Sequence, residues 1–364
     1  MILPHINGSL DRSQFAYRPG PGGGVVPALT LLHHRILNFL DSKSGAVRLL
    51  TVDFAKAFDK ITHTTIVSAC RQFQLPASTV QWIEDFLSDR SQRVRYNGTT
   101  SRWAKCTSGV PQGSVLGPIL FCLATDSIRP LFSNTSVVRF ADDITLLHCV
   151  RDKNEDKLQV EWNHLVSWTK DINLPLNPSK CKVMNIVTRR NLTLDPIFQG
   201  TEGTLQEVKT MRLLGVTFSH DLKFNSHVMN ILKKASSRMF VLCNLKRAKC
   251  PAPILWQTYT ALIQSVLLFA YPSFSNIPDY LKKILLRIEN RARRIIGTPK
   301  QPSLFSVADS VCLKLFQRIR DETDHPLREM FEVRNRKSRH QSGLIAPRTK
   351  TERFKKSFIK YSSL

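Results

Sequence analysis

The spacing of apolar residues alternates along this chain between helical and extended periods. In "VPALTLLHHRILNFLD" the leucines and isoleucine recur at helical spacing and predict a helix. "AVRLLTVDF" (Ala46–Phe54) is a nearly unbroken apolar run and reads as a buried strand ending at Asp53, and "AKAFDKITHTTIVSACRQF" reads as a turn into a helix. In "VQWIEDFLSD", Val80, Ile83, Phe86 and Leu87 mark another helix. "QRVRYNG" and "RWAKCTSG" should pair as strands across Asn97-Gly98, a favoured hairpin turn. "SGVPQGSVLGPILFCLATDSI" is a glycine-broken loop feeding a helix whose first turn must hold Pro118.

"VVRFADDITLL" (Val137–Leu147) predicts a strand, a tight turn and a second strand, with Val137, Val138 and Phe140 before the turn and Ile144, Leu146 and Leu147 after it. A long amphipathic helix, "NEDKLQVEWNHLVSWTKDI", leads to a turn-rich "NLPLNPSK" and a strand "CKVMNIV"; "MRLLGVTFSH" reads as a further strand pair. From about Phe224 to Ile296 the pattern is helical, with breaks near Pro251 and Pro272. From about Pro299 onward the chain is basic, polar and weakly periodic.

Composition sharpens this picture. With 364 residues and 42% hydrophobic content the chain can bury a substantial core, which excludes wholesale disorder. The net charge is +25, and it is uneven: residues 1–150 carry 15 Lys/Arg against 10 Asp/Glu, the remainder 38 against 18. Such an excess favours a polyanionic partner, because neutralising phosphates releases counterions. The eight cysteines are scattered; Cys243 and Cys250 match no zinc-ligand spacing, and buried intracellular thiols are the expectation. The opening residues do not read as a secretory signal. The apolar run "ALIQSVLLFAYPSF" contains Gln264, breaks at Pro272 and is too short to span a bilayer.

The candidate chemistry lies with three aspartates. Asp142 and Asp143 sit where apolar residues crowd from both sides, and buried charge must be paired or bound to a cation. A DD turn alone is usually just a hairpin turn. Asp53, however, ends another strand. If those strands are neighbours, three carboxylates meet at one sheet edge and repel one another unless divalent cations neutralise them. Mg²⁺ favours carboxylates together with substrate phosphates. Two such ions about 3.5–4 Å apart would suit phosphoryl transfer.

With those residues in view, the chain resembles the reverse transcriptase of LINE-type (non-LTR) retrotransposons, nearest the jockey and chicken-repeat group. "FADD" resembles the family's Y/F-x-D-D box, "TVDFAKAFDKI" its first palm motif, and "SGVPQGSVLGPILF" its PQG motif. "LNPSKCKVM" is similar to the L-N-x-x-K-T element, with Cys181 where threonine is usual; "LLGVTF" resembles the primer grip, and "DHPL" and "RFKKSF" late segments. The series runs in the expected order over nearly the whole chain.

The resemblance implies an α+β right-hand polymerase: partial fingers over 1–45, a palm on an antiparallel sheet over 46–222, a helical thumb over 223–298 and a basic C-terminal segment over 299–364. It implies RNA-directed DNA polymerase activity, with an RNA template, a DNA primer and dNTPs as partners, two Mg²⁺ ions (Mn²⁺ as an alternative) and no membrane. Asp53, Asp142 and Asp143 would be catalytic and, with the Phe54 carbonyl, hold the metals. Phe58 would be an aromatic gate that collides with a ribose 2′-OH; the bland alternative is a core phenylalanine. Gln112 and Gly113 would lie against the nascent base pair.

Arg18, in an "AYR" that replaces the commoner "GFR", would hold the triphosphate. Lys180 would reach the pyrophosphate, unless it is simply a solvated loop lysine. Leu214, Gly215 and Val216, within Leu213–Phe218, would grip the primer. In "LLRIENRARRIIG" the residues Ile284, Ile288, Ala292 and Ile295 would face the core, while Arg287, Arg291 and Arg294 touch template–primer backbone or water. Trp256, Tyr259, Ile263 and Leu267 are expected in the core, and His63 and His148 are expected to be structural.

The family's complete proteins carry an endonuclease and fingers motifs upstream of "QFAYRPG". The expectation is therefore an N-terminally truncated form of weak or absent activity, with nucleotide binding most affected. Two other readings stay open: a non-catalytic nucleic-acid-binding remnant, and a viral-type RNA-dependent RNA polymerase or intron maturase, which Phe58 and the late segments disfavour. Family behaviour implies nuclear synthesis, and "RNRKSRH" is basic enough to be a targeting run or an RNA contact.

Overall fold

A computed structural model describes residues 2–6, 9–18, 20, 22–42, 45–189, 191–199, 203–297, 301–333 and 343–363. The basic run "RNRKSRH" lies outside the described residues. The chain forms two compact units. The first comprises Met1–Gly24, Val47–Val183 and Asn191–Glu207; the second comprises Val25–Ala46, Met184–Arg190 and Val208–Leu364.

A five-stranded sheet has the strand order Thr135–Phe140, Asp143–Val150, Ala46–Val52, Lys182–Val187, Gln206–Glu207, and all of it but Ala46 and Met184–Val187 belongs to the first unit. Thr135–Phe140 and Asp143–Val150 form an antiparallel hairpin with Phe140 opposite Asp143, while the edge pairing of Lys182–Val183 with Gln206–Glu207 is parallel. Ala46–Val52 is buried along almost its whole length, as its continuous apolar run requires of a central strand. One core joins Leu50, Val52 and Ile144 to the helix residues Ile66, Phe121 and Trp162.

Pro118 does fall in the first turn of Leu116–Ala124. The Asn97-Gly98 hairpin is present, with φ of +46° and +79° at its two turn residues. The central strand also buries Arg48, whose guanidinium is held by Asp156 at 2.5 Å and by the Asp195 carbonyl at 2.8 Å. His148 is structural: it exchanges a hydrogen bond with Thr135 Oγ1 at 2.8 Å and accepts one from the Lys157 N–H at 3.0 Å. His63 reaches the Gly109 carbonyl.

The second unit is mostly helical: Val25–Ser42, Asn225–Arg247, Ala252–Tyr259, Asp279–Ile296 and Leu304–Asp321 surround the small hairpin Thr210–Leu213 and Val216–Ser219. Its centre is aromatic, with His33, Phe218 and Phe224 stacked edge to face and Phe274 at 6.0 Å from Phe224. Tyr259, Ile263 and Leu267 are buried, and Trp256 is half-buried beneath the Arg293 guanidinium. Burial pushes His33 and His34 down to about 3, so both rings are neutral at physiological pH.

Two expectations are corrected in this unit. The buried face of Asp279–Ile296 runs through Leu281, Leu285, Glu289, Ala292 and Ile296, so Ile284, Ile288 and Ile295 are only half-buried. The face is displaced because Glu289 turns inward, where it pairs with Arg293 at 2.8 Å and accepts the Leu304 N–H at 2.8 Å. The weakly periodic C-terminal stretch contains a full helix, Leu304–Asp321. Its buried stripe includes the small residues Ala308 and Cys312, which blur the apolar period.

Candidate active site

The backbone at Asp53 is pinned on both sides to the turn at residues 175–181. The Asp53 N–H donates to Cys181 Sγ at 3.4 Å, the Asp53 carbonyl accepts from the Asn177 N–H at 2.8 Å, and the Ala55 N–H donates to the Pro175 carbonyl at 2.8 Å. Phe54 thus pairs with Leu176 without spending its own carbonyl on that neighbour. Cys181 is fully buried, and burial pushes its thiol up to about 11. Asp53 Oδ2 is shut from solvent and has no hydrogen-bond partner; Lys180 Nζ stands 3.8 Å from it.

The other two aspartates are carried by the hairpin turn at Ala141-Asp142. Ala141 takes φ +57°, uncommon for a residue with a side chain, and its N–H donates to Gln14 Oε1 at 3.3 Å. Gln14 is fully buried and bridges to Arg139 of the same hairpin. Arg139, only 1% exposed, fixes the hairpin from below. Its guanidinium meets Asp126 at 3.0 Å, Asp11 at 3.2 Å, the Thr125 carbonyl at 2.9 Å and Ser13 Oγ at 3.0 Å.

Asp142 and Asp143 reach solvent. Partial burial pushes both carboxyls above their ordinary value; the charge of Asp53 adds to the shift at Asp142, and the charges of Asp142 and Asp53 add to it at Asp143. The three carboxylates therefore feel one another. Among the described residues, no group of three or more His, Cys, Asp or Glu forms a ready-made metal cage. The Asp53 oxygen without a hydrogen bond and the mutual repulsion of the three carboxylates, met only by Lys180 at 3.8 Å from Asp53, nevertheless fit a divalent cation chemically.

Phe58 is half-buried with its ring 4.6 Å from that of Phe121, so it packs on the core while keeping an open side. The loop after it is fastened to the PQG segment. The Val110 N–H donates to the Phe58 carbonyl, the Gly109 N–H to Ile61, and Gln112 Nε2 to Asp59 Oδ1 at 2.7 Å. Gly109 is packed tightly against this turn: at φ +80° a Cβ would lie 2.7 Å from Asp59 Cα. Gly113 also has φ +80°, with nothing within 4 Å of the place a Cβ would take.

Arg18 is turned onto its own loop, donating to the carbonyls of Leu10, Asp11 and Gln14 at 3.3–3.4 Å. Tyr17 was missed. Its ring is half exposed, its φ is +54°, and partial burial followed by the charges of Cys122 and Asp142 pushes its hydroxyl up.

In the second unit, Leu214 and Gly215 form the hairpin tip with φ of +44° and +92°. The Val216 side chain is fully buried in the core of this unit. Arg287, Arg291 and Arg294 are exposed on their helix.

The site thus consists of a strand-end aspartate beside an acidic two-stranded hairpin, with a glycine-bearing loop folded over the following turn. The chain belongs to the reverse transcriptase (RNA-dependent DNA polymerase) family, whose description matches residues 2–218. With that membership comes the right-hand polymerase fold. The family generally uses divalent metal ions.

The chain is 28% identical over 243 residues to a probable RNA-directed DNA polymerase from transposon X-element of Drosophila melanogaster, covering 65% of this chain and 26% of that one. It is 24% identical over 284 residues to the RNA-directed DNA polymerase from mobile element jockey of the same organism, covering 73% and 30%. Over 191 residues it is 28% identical to the Pol polyprotein from a type-1 retrotransposable element R2 of Nasonia vitripennis, covering 50% and 18%. It therefore spans less than a third of each of these relatives. Among solved structures, apo telomerase from Candida tropicalis aligns with a TM-score of 0.48 at 10% identity, covering 87% of this chain and 54% of that chain. No described helix is long and apolar enough to cross a membrane.

Proposed function

We propose that this chain is the RNA-directed DNA polymerase of a non-LTR retrotransposon, extending a DNA primer on an RNA template with dNTPs. The observation that carries the reading is the carboxylate trio: Asp142 and Asp143 are held above their ordinary range by partial burial and neighbouring charge, and Asp53 has a dry, unbonded oxygen. Asp53, Asp142, Asp143 and the Phe54 carbonyl would hold two Mg²⁺ ions, or Mn²⁺, which supply charge neutralisation and activation of the primer hydroxyl.

The protein's own residues then bind and orient. Phe58, braced by Phe121, sets the floor on which the sugar rests and excludes a 2′-OH. Gln112, oriented by Asp59, and the open backbone at Gly113 receive the nascent base pair. Lys180 and Arg18 supply positive charge to the triphosphate; Arg18 must leave its three carbonyl partners to do so. Leu214 and Gly215 support the primer. Beside them a cleft of about 490 Å³, lined by Arg212, His227, Lys233 and Lys234 among others, offers charge to a backbone phosphate. Arg287, Arg291 and Arg294 do the same from the thumb helix.

Primer extension with dNTPs on an RNA template, in Mg²⁺ and in Mn²⁺, tests this reading. Extension lost at least about 100-fold in Asp142→Asn supports it. A second reading, nucleic-acid binding without catalysis, draws on the inward turn of Arg18. No extension by the parent, with nucleic-acid affinity unchanged in Asp142→Ala, would select it.

A further inference from the structure

The hairpin spanning residues 90–106 serves none of the roles assigned above. It consists of Ser91–Gln92 paired with Ala104–Lys105 and Arg95–Tyr96 paired with Thr99–Thr100, and residues 91–105 are solvent-exposed on both faces. A two-stranded ribbon with neither face covered is marginal in water by itself, so its composition asks for an occupant. Between residues 90 and 106 it carries five cations, Arg90, Arg93, Arg95, Arg102 and Lys105, and no carboxylate. Among the described residues no acidic side chain forms an ion pair with any of the five. Two large rings stand out from it: Tyr96 is 74% exposed and Trp103 64% exposed. The Arg93 guanidinium already lies 4.5 Å over the Trp103 ring, which presents a flat, positively charged face.

We propose that this hairpin is a stacking platform for single-stranded nucleic acid, with Trp103 and Tyr96 taking bases and the arginines taking phosphates. Charge complementarity selects the occupant: an apolar partner would leave the exposed cations unmatched and an acidic surface would leave the two rings unused, whereas a polyanion with π-faces satisfies cations and rings together. The inference extends the polymerase reading by adding a strand contact on an element separate from the carboxylates. It does not depend on catalysis.

The test is fluorescence anisotropy with a labelled single-stranded RNA on the whole chain, in EDTA and without dNTPs, so that loss of polymerase activity cannot affect the result. Trp103→Ala and Tyr96→Ala should each weaken binding roughly tenfold. Arg93→Ala should lower the slope of log affinity against log salt by about one. An abasic oligonucleotide of equal length separates stacking from charge: the parent should bind it more weakly than RNA, and Trp103→Ala/Tyr96→Ala should not distinguish the strands. Equal parent affinity for abasic and normal strands would overturn the platform, as would full affinity in Trp103→Ala/Tyr96→Ala. Loss of extension in Asp142→Asn with unchanged anisotropy would separate this surface from the catalytic centre.

Discussion

Lys180 Nζ stands 3.8 Å from Asp53 Oδ2, an oxygen that is itself shut from solvent and without a hydrogen bond. Lys180 is mostly exposed and Asp53 partly so, at 67% and 41%, and the pair contributes at most about 1 kcal/mol to stability. Lys180→Met should therefore leave the thermal melting point nearly unchanged. If the ammonium serves the triphosphate, the same variant raises the KM for dNTP about tenfold, the size of one lost charge-assisted hydrogen bond. Steady-state extension at varied dNTP measures this, and an unchanged KM would return Lys180 to the solvated loop.

The acidic hairpin should cost the protein stability at neutral pH. Asp142 and Asp143 have folded values above their ordinary one, through partial burial first and neighbouring carboxylates second. The folded chain then holds those protons longer than the unfolded chain, and stability falls as pH rises from about 4 through the raised values. The variant Asp142→Asn/Asp143→Asn should melt higher than the parent at pH 7, with the gap narrowing toward acid. Mg²⁺ should raise the melting point of the parent and not that of the variant. Melting curves across pH, with Mg²⁺ or EDTA, decide it. Equal stabilisation of both by Mg²⁺ would contradict a cation held by these carboxylates.

Much of this arrangement is legible from residue type and spacing, because the relevant signals are local. Asn97-Gly98 specifies its hairpin through two positive φ values, and the alternation around Asp142 specifies another. What escaped depends on partners distant in sequence or on charge turned inward. Glu289 reads as a surface residue until Arg293 and the Leu304 N–H satisfy it inside. Arg139 reads as a solvated strand residue, yet its partners Asp11 and Ser13 lie more than 120 residues away. Val216 is buried as its strand pattern requires. Alternation across Met211, Leu213, Val216 and Phe218 already points its side chain inward.

The Arg139 cluster supports a second stability prediction. Arg139 is buried among Asp126, Asp11, Ser13 and the Thr125 carbonyl, and Asp126 is already pushed above its ordinary value by burial despite that guanidinium. Arg139→Met leaves a buried carboxylate without its main partner and should destabilise by about 3–5 kcal/mol. Without the arginine the Asp126 carboxyl rises further, so the deficit should shrink as pH falls. Urea unfolding at two pH values measures both. A pH-independent loss would place the effect in packing.

Gly215 supplies a contrast in the second unit. At φ +92° it occupies a region that side chains avoid, and a Cβ there would stand 2.9 Å from Phe269 Cε1. Two costs are therefore available to Gly215→Ala, one in the backbone and one against the ring. Phe269 is 45% exposed and has room to swing aside, so the backbone cost should dominate, at about 1–2 kcal/mol. Adding Phe269→Leu should then recover less than half of the loss. Denaturant unfolding of the single and double variants separates the two costs. Full recovery in the double variant would show that the glycine is kept for the ring, and that the tip tolerates a side chain wherever a primer leaves space for one.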